Sequence, residues 1–226
     1  MEFATLWCIF AQNQPIGLFV DVEFKYPKYD PRWADQFLAS IKFSKEELVS
    51  YGVPQDSIEL EDPYINLCEF DKIRRLWTNP MYVADFFDDN EVHLQDSFWR
   101  GIGKDRFVRD ILSSTPYIFR EIATACQNGK IDELFKPLDK SDKDKESHTS
   151  IRVKHKQGKI GGKFAFRIYA IKIEDGCYVV TGGAIKVVKE MHQAQNTTIE
   201  LNKINAAYKK YIGRDSRVEF VEFVID

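Results

Sequence analysis

Apolar positions along this chain alternate, cluster and then recur at helical spacing, and each change of period marks an element. Residues 3–10, FATLWCIF, and the stretch from Ile16 to Phe24 are two arms separated by a break at Gln12-Asn13-Gln14-Pro15. Both are rich in residues that suit a pleated surface, which predicts a first hairpin. In the second arm Leu18, Val20, Val22 and Phe24 fall on one face and Phe19, Asp21 and Glu23 on the other, as in a sheet with one side buried. Asp30-Pro31 places an N-cap residue before a proline at the first helical position, and Trp33, Phe37, Leu38 and Ile41 share a side. A helix from Pro31 to about Ile41 is predicted. Ser44 followed by Glu47 matches a capping box, so a short helix should run from Lys45 to Tyr51 and stop at Gly52. Val53 to Pro63 reads as loop, followed by helices at Cys68–Leu76 and Pro80–Phe87.

Lys104–Leu112 and Pro116–Asn128 read as a helical pair. Thr115-Pro116 starts the second helix, Ile118, Phe119, Ile122 and Ala125 form its apolar stripe, and Gly129 ends it. A short helix from Ile131 to Phe135 leads into Lys140–His148, a charged stretch almost free of apolar residues that marks an exposed loop or a boundary. From Ile151 to Gln157 alternation returns, with Ile151, Val153 and His155 on one face and Arg152, Lys154 and Lys156 on the other. The stretch Lys163 to Lys189 then carries β-branched and aromatic residues on both sides of Glu174-Asp175-Gly176, a strong hairpin signal. Arg167 and Tyr169 share one face of its first arm; Phe166, Ile168 and Ala170 share the other. Thr197 with Glu200 is a second capping-box match, predicting a helix from Thr198 to Ile212 with Leu201, Ile204, Tyr208 and Tyr211 on its apolar stripe. Arg217–Ile225 closes the chain as a strand. The fold class is α+β: small antiparallel sheets packed against helices.

The composition, 44% apolar and 30% charged in 226 residues, is that of an ordinary globular protein, and no stretch approaches the length of a membrane span. With no leader pattern at its N-terminus, the chain is expected to be cytoplasmic. Cys8, Cys68, Cys126 and Cys177 are spaced roughly 50 to 60 residues apart, far from zinc-ligand spacing, and read as free thiols. Asp21 and Glu23 read as the wet face of a strand, and Asp85, Asp88, Asp89 and Glu91 as an acidic surface loop lacking calcium-loop order. Gly101-Ile102-Gly103 lacks the preceding strand and third glycine of a dinucleotide fingerprint. No metal or cofactor is expected. Charge changes the picture more. Residues 1–135 carry 14 Lys or Arg against 23 Asp or Glu, whereas Lys136 to the end carries 18 against 12. Such asymmetry points to an anionic partner for the C-terminal part, or to solvated faces of one domain.

Between residues 131 and 212 the segments IDELFKPLDK, IRVKHKQGK, FRIYAIKI, YVVTGGAIKVVKEM and ELNKINAAYKKYI together resemble a divergent module of the RelE/HigB superfamily of toxins from toxin–antitoxin pairs. The resemblance covers about a third of the chain and implies a basic, aromatic-bearing antiparallel sheet that meets messenger RNA, usually on the ribosome, and cleaves it through the ribose 2′-hydroxyl without metal. Such chemistry needs a base near the 2′-OH, an acid for the leaving oxygen, positive charge on the transition state and a stacking surface. The resemblance implies catalytic roles for Arg167, Tyr169, Lys154, His155 and His192. Arg152, Lys156, Lys159, Lys163, Lys172, Lys186 and Lys189 would hold nucleic acid. The implied partners are RNA or the ribosome, and an antitoxin or other acidic protein. The family normally has about half this length, so residues 1–100 would form an acidic extension with its own hairpin and helices, and 101–226 the toxin-like unit. The competing expectation is a non-enzymatic interaction protein whose basic sheet docks an acidic protein or nucleic acid.

Overall fold

The computed structural model describes residues 5–11, 20–23, 37–55, 64, 67–96, 99–137, 159–160, 163–164, 166–174, 176–188, 191–211 and 219–223. In chain order the elements are β1 (Thr5–Ala11), β2 (Val20–Glu23), β3 (Phe37–Ile41), α1 (Lys45–Ser50), α2 (Glu69–Thr78), α3 (Pro80–Asp89), α4 (Glu91–Asp96), α5 (Lys104–Gln127) and α6 (Ile131–Leu134). There follow β4 (Phe135–Pro137), β5 (Lys159–Ile160), β6 (Lys163–Phe164), β7 (Phe166–Glu174), β8 (Cys177–Ile185), a 3₁₀ turn (Met191–Gln193), α7 (Gln195–Tyr211) and β9 (Glu219–Phe223). Seven strands join in one sheet in the order β2-β1-β3-β8-β7-β9-β4, and β5 and β6 pair separately. Every neighbour in the large sheet is antiparallel except β3 and β8, which run parallel with Phe37 opposite Cys177 and Ser40 opposite Val180. The α+β class holds. The sheet also crosses residue 100: strands from the first 41 residues and strands from 135 onward share it.

Helices cover both faces. Along β7, Phe166, Ile168 and Ala170 pack with Ile73 and Trp77 of α2 and with Phe107, Ile111, Ile118 and Ile122 of α5. Tyr169 and Ile171 point the other way, to Leu48 of α1 and Ile204 and Ala207 of α7. The two-residue period thus sorts side chains into two cores on opposite sides of one sheet. Gly176, with φ 77°, makes the tight turn between β7 and β8, a conformation that glycine adopts without steric cost.

Several local signals are realised. The β1–β2 hairpin forms, with Leu6 opposite Val22. Ser44 and Glu47 cap α1 reciprocally, at 3.3 Å and 2.8 Å. Asn79 caps α3 by accepting from Met81 N, with Pro80 in the first turn.

Others are overturned. The helix expected from Pro31 to Ile41 is not one over its last five residues: Phe37–Ile41 is β3, and residues 31–36 lie outside the described residues. Every residue from Leu38 to Ile41 is buried, so the polar alternation that normally identifies a strand is lost. Ser40, the polar position in that run, is buried and donates to the Val180 carbonyl (3.2 Å) while accepting from Phe70 N (3.0 Å).

The helical pair expected around Thr115-Pro116 is one 24-residue helix with proline inside it. Pro116 leaves a carbonyl one turn back without its N–H, at a cost of about 3 kcal/mol. Against this stands a stripe of Phe107, Ile111, Ile118 and Ile122, all fully buried, each contributing about 1.5–3 kcal/mol. Thr115 Oγ1 meanwhile donates to the Ile111 carbonyl (2.9 Å). The acidic run is helical rather than loop: Asp85, Asp88 and Asp89 belong to α3 and Glu91 to α4, with Asp88 paired to Lys104. The second capping box does not form, because α7 starts at Gln195 and Glu200 engages Lys203 instead. The charged stretch Lys140–His148 and the expected strand Ile151–Gln157 lie outside the described residues.

Candidate functional site

The β7–β8 hairpin occupies the middle of the sheet, so most of its described side chains meet helices rather than solvent. Tyr169 is 0% exposed, packed into the α1/α7 core. Arg167 is half-buried and its Nη1 donates to the Phe166 carbonyl at 2.8 Å. Lys172, near the turn, pairs with Asp132 at 3.6 Å. That same carboxylate accepts from the Tyr178 hydroxyl and from Gly176 N (3.1 Å). Lys186 is half-buried just past the end of β8, at the other end of the hairpin from Lys172. With six residues between their positions along the pair, these two lysines stand roughly 20 Å apart. His192 is exposed on the 3₁₀ turn. Lys159 and Lys163 belong to the separate β5–β6 pair, in which Lys159 faces Phe164 and Ile160 faces Lys163 in register, with β5 against α5. Arg152, Lys154, His155, Lys156 and Lys189 lie outside the described residues. The structure therefore brings Arg167 and Tyr169 together on one strand and sets Lys172, Lys186 and the β5–β6 lysines in different places.

A different cluster of ionisable groups emerges between α2, α7 and β8. Lys203 Nζ donates to Glu69 Oε2 and to Glu200 Oε1, both at 2.6 Å. The side chains of Lys203, Glu69 and Glu200 are only 5%, 3% and 10% exposed. The ammonium also stands 5.8 Å from the centre of the Phe43 ring, a favourable cation–aromatic distance. Glycine makes the cluster possible: a Cβ on Gly182 would come within 1.8 Å of Glu200 Oε2 and 2.7 Å of Lys203 Nζ. Beside it, a Cβ on Gly183 would meet the Arg167 carbonyl at 2.8 Å and Ile73 Cδ1 at 3.0 Å. The Gly182-Gly183 pair thus lets helices close on the sheet from two directions. Two adjacent glycines inside a strand are the sequence signal for such an approach, and the Glu200–Lys203 spacing of three on a helix is the other. Glu69, more than a hundred residues away in sequence, has no local signal.

Burial pushes the Glu200 carboxyl up to about 7, with Lys203 pulling against it and Glu69 adding to the rise. For Lys203 burial acts to lower the ammonium, but Glu200 and Glu69 outweigh it and hold the group above its ordinary value. Tyr82 of α3 faces the same cluster; burial pushes its hydroxyl up to about 12, Glu200 adding and Lys203 opposing. Cys68, just before α2, is pushed by burial up to about 11; like Cys126 and Cys177 it is buried and outside any disulfide. Almost closed to solvent, the Glu69–Lys203–Glu200 cluster is placed to hold or release a proton.

Between α3 and α5 a shallow open groove is lined by Ala84, Val108 and Leu112 with Lys104 and Arg109 among its polar residues. Among the described residues no helix is long and apolar enough to cross a membrane. No protein-family model matches the chain, and neither the characterised proteins nor the solved structures compared with it give a match.

Proposed function

We propose that this is a cytoplasmic binding protein that docks the backbone of a single-stranded RNA through the basic run Arg152–Lys163, without turnover. The supporting observation is a division of labour in charge and burial. Arg152, Lys154, Lys156, Lys159 and Lys163 fall within twelve residues that contain no acidic residue, and the β5–β6 part of that run stands apart from the seven-stranded sheet. Lysine and arginine in such a run meet phosphates by charge, independently of base sequence. The hairpin that the RelE/HigB resemblance makes catalytic has helices on both faces, and its Tyr169 is 0% exposed. A buried ring neither stacks on a base nor donates a proton to a leaving oxygen.

The test is fluorescence anisotropy of a labelled single-stranded RNA titrated with protein at rising salt. Each neutralised phosphate contributes a slope of about −0.7 in log K against log salt, so full use of the five cations gives about −3.5. Replacing Lys159 and Lys163 by Gln should flatten the slope by about 1.4. A wild-type protein that does not bind RNA at about 50 mM salt, or binds it with no salt dependence, overturns the proposal. RNA cut during the incubation, and left intact by Arg167→Ala, overturns it in favour of cleavage.

A further inference from the structure

Two carboxylates share one ammonium where α7 meets β8, and the arithmetic of that cluster is incomplete. Ionised throughout, Glu69, Lys203 and Glu200 carry a net charge of −1 in a space almost closed to water, and an uncompensated buried charge is strongly unfavourable. The other groups facing it are Tyr82 of α3, Asn196 of α7 and Lys72 of α2, a half-buried cation that opposes the excess but is the smallest of the influences on Glu200. From β8 the facing residue is Gly182, which contributes no ionisable group.

Hydrogen bonding shows the same deficit. Glu200 Oε2 and Asn196 Oδ1 are both buried without a hydrogen-bond partner. They belong to residues one helical turn apart on α7 that both reach β8: Asn196 Nδ2 donates to the Ile185 carbonyl at 3.1 Å, and Glu200 Oε2 lies over Gly182. A carboxylate and an amide oxygen only accept, so neither can satisfy the other. A proton on Oε2 relieves the deficit at Glu200. It removes the excess negative charge of the three groups and turns a buried acceptor that lacks a donor into a hydroxyl, while Oε1 continues to accept from Lys203.

We infer that Glu200 is a buried proton-binding site of the folded protein, and that loss of its proton loosens α7 from β8. The direction of the Glu200 shift, upward through burial, agrees with this geometry. The sign follows. Between about 4.5, the unfolded value, and about 7 the folded protein holds the proton and the unfolded chain does not. Stability from this group is complete below 4.5 and is lost as pH rises through 7.

Urea unfolding of the wild type and of Glu200→Gln, followed between pH 5 and 8.5, tests the inference. Gln keeps an oxygen for Lys203 and carries an uncharged amide in place of the second oxygen, so the variant imitates the protonated acid. The wild-type folding constant should fall relative to that of Glu200→Gln by the order of a hundredfold across this range, with amide exchange in α7 quickening in parallel. Parallel stability profiles for the two proteins overturn the inference. Carbon-13 titration of the wild-type carboxyls reads the site directly, whether or not the variant folds. A glutamate titrating near 7 in the folded protein upholds it, and all glutamates titrating near their ordinary value overturn it.

Discussion

Gly182→Ala puts the α7–β8 contact under the most direct test. The added methyl lies 1.8 Å from Glu200 Oε2, 2.9 Å from Glu200 Cδ and 2.7 Å from Lys203 Nζ, all closer than van der Waals contact allows. Glu200 could swing aside only by giving up its 2.6 Å bond to Lys203, leaving the buried ammonium short of one of its two acceptors. Overpacking costs about 1–3 kcal/mol, and losing a hydrogen bond to a buried charged group about 1.5–3 kcal/mol. The φ of 155° at this position adds strain of about 1–3 kcal/mol for an L side chain. These effects overlap, and a total of about 3–5 kcal/mol is expected. In thermal denaturation followed by circular dichroism that is a fall of about 6–20 °C for a domain of this size. The double-mutant cycle isolates the cause. In a Glu200→Ala background the Glu200 contacts are gone and the remaining close neighbour is the far end of the flexible Lys203 side chain, so the cost should fall to about 1–3 kcal/mol, most of it backbone strain. Equal costs in the two backgrounds, or a loss below about 1 kcal/mol in the wild type, would refute the steric account.

Two more expectations follow from the core. Trp77 is 1% exposed, its ring 4.9 Å from that of Phe166 and 6.1 Å from that of Phe119; Trp77→Ala should cost about 3–5 kcal/mol in urea denaturation, and a loss under 1 kcal/mol would contradict the packing. Cys68, its thiol pushed by burial up to about 11, should resist iodoacetamide at pH 8 in the native protein and react promptly in urea, because the thiolate is the nucleophile; equal rates would show that the site is open.

What was legible in the sequence was local. Ser44 with Glu47 and Glu174-Asp175-Gly176 act within a few residues of themselves, and each built the element it announced. The alternation along Phe166–Ile171 sorted those side chains correctly between two faces. It could not tell that α7 would cover the face carrying Tyr169, because that helix is recruited from beyond residue 194. The same limit explains Phe37–Ile41: burial on both faces erased the period, and the N-cap signal upstream pointed to a helix. Pro116 failed as a helix boundary because a continuous buried stripe outweighed one missing hydrogen bond. The distance of Glu200 from Thr197 announces half of a capping box, whereas its partner Lys203 and the more distant Glu69 decide its role.

The parallel seam between β3 and β8 also dictates an order of events in folding. Residues 37–40 find their partners at 177–180, and closing a loop of that length costs roughly 4 kcal/mol of chain entropy before the first bond across the seam repays it. Local elements such as the β1–β2 hairpin, α1 and α5 can form early, but β3 has no neighbour on its outer side until Cys177–Ile185 arrives. A chain emerging during synthesis therefore exposes an unfilled strand edge, with Leu38, Ala39 and Ile41 in water, through most of its elongation. Such an edge is the feature that other chains pair with. The hairpin at the centre of the finished sheet is also the piece that closes it, and the time from β3 to β8 is when this protein is most exposed to aggregation.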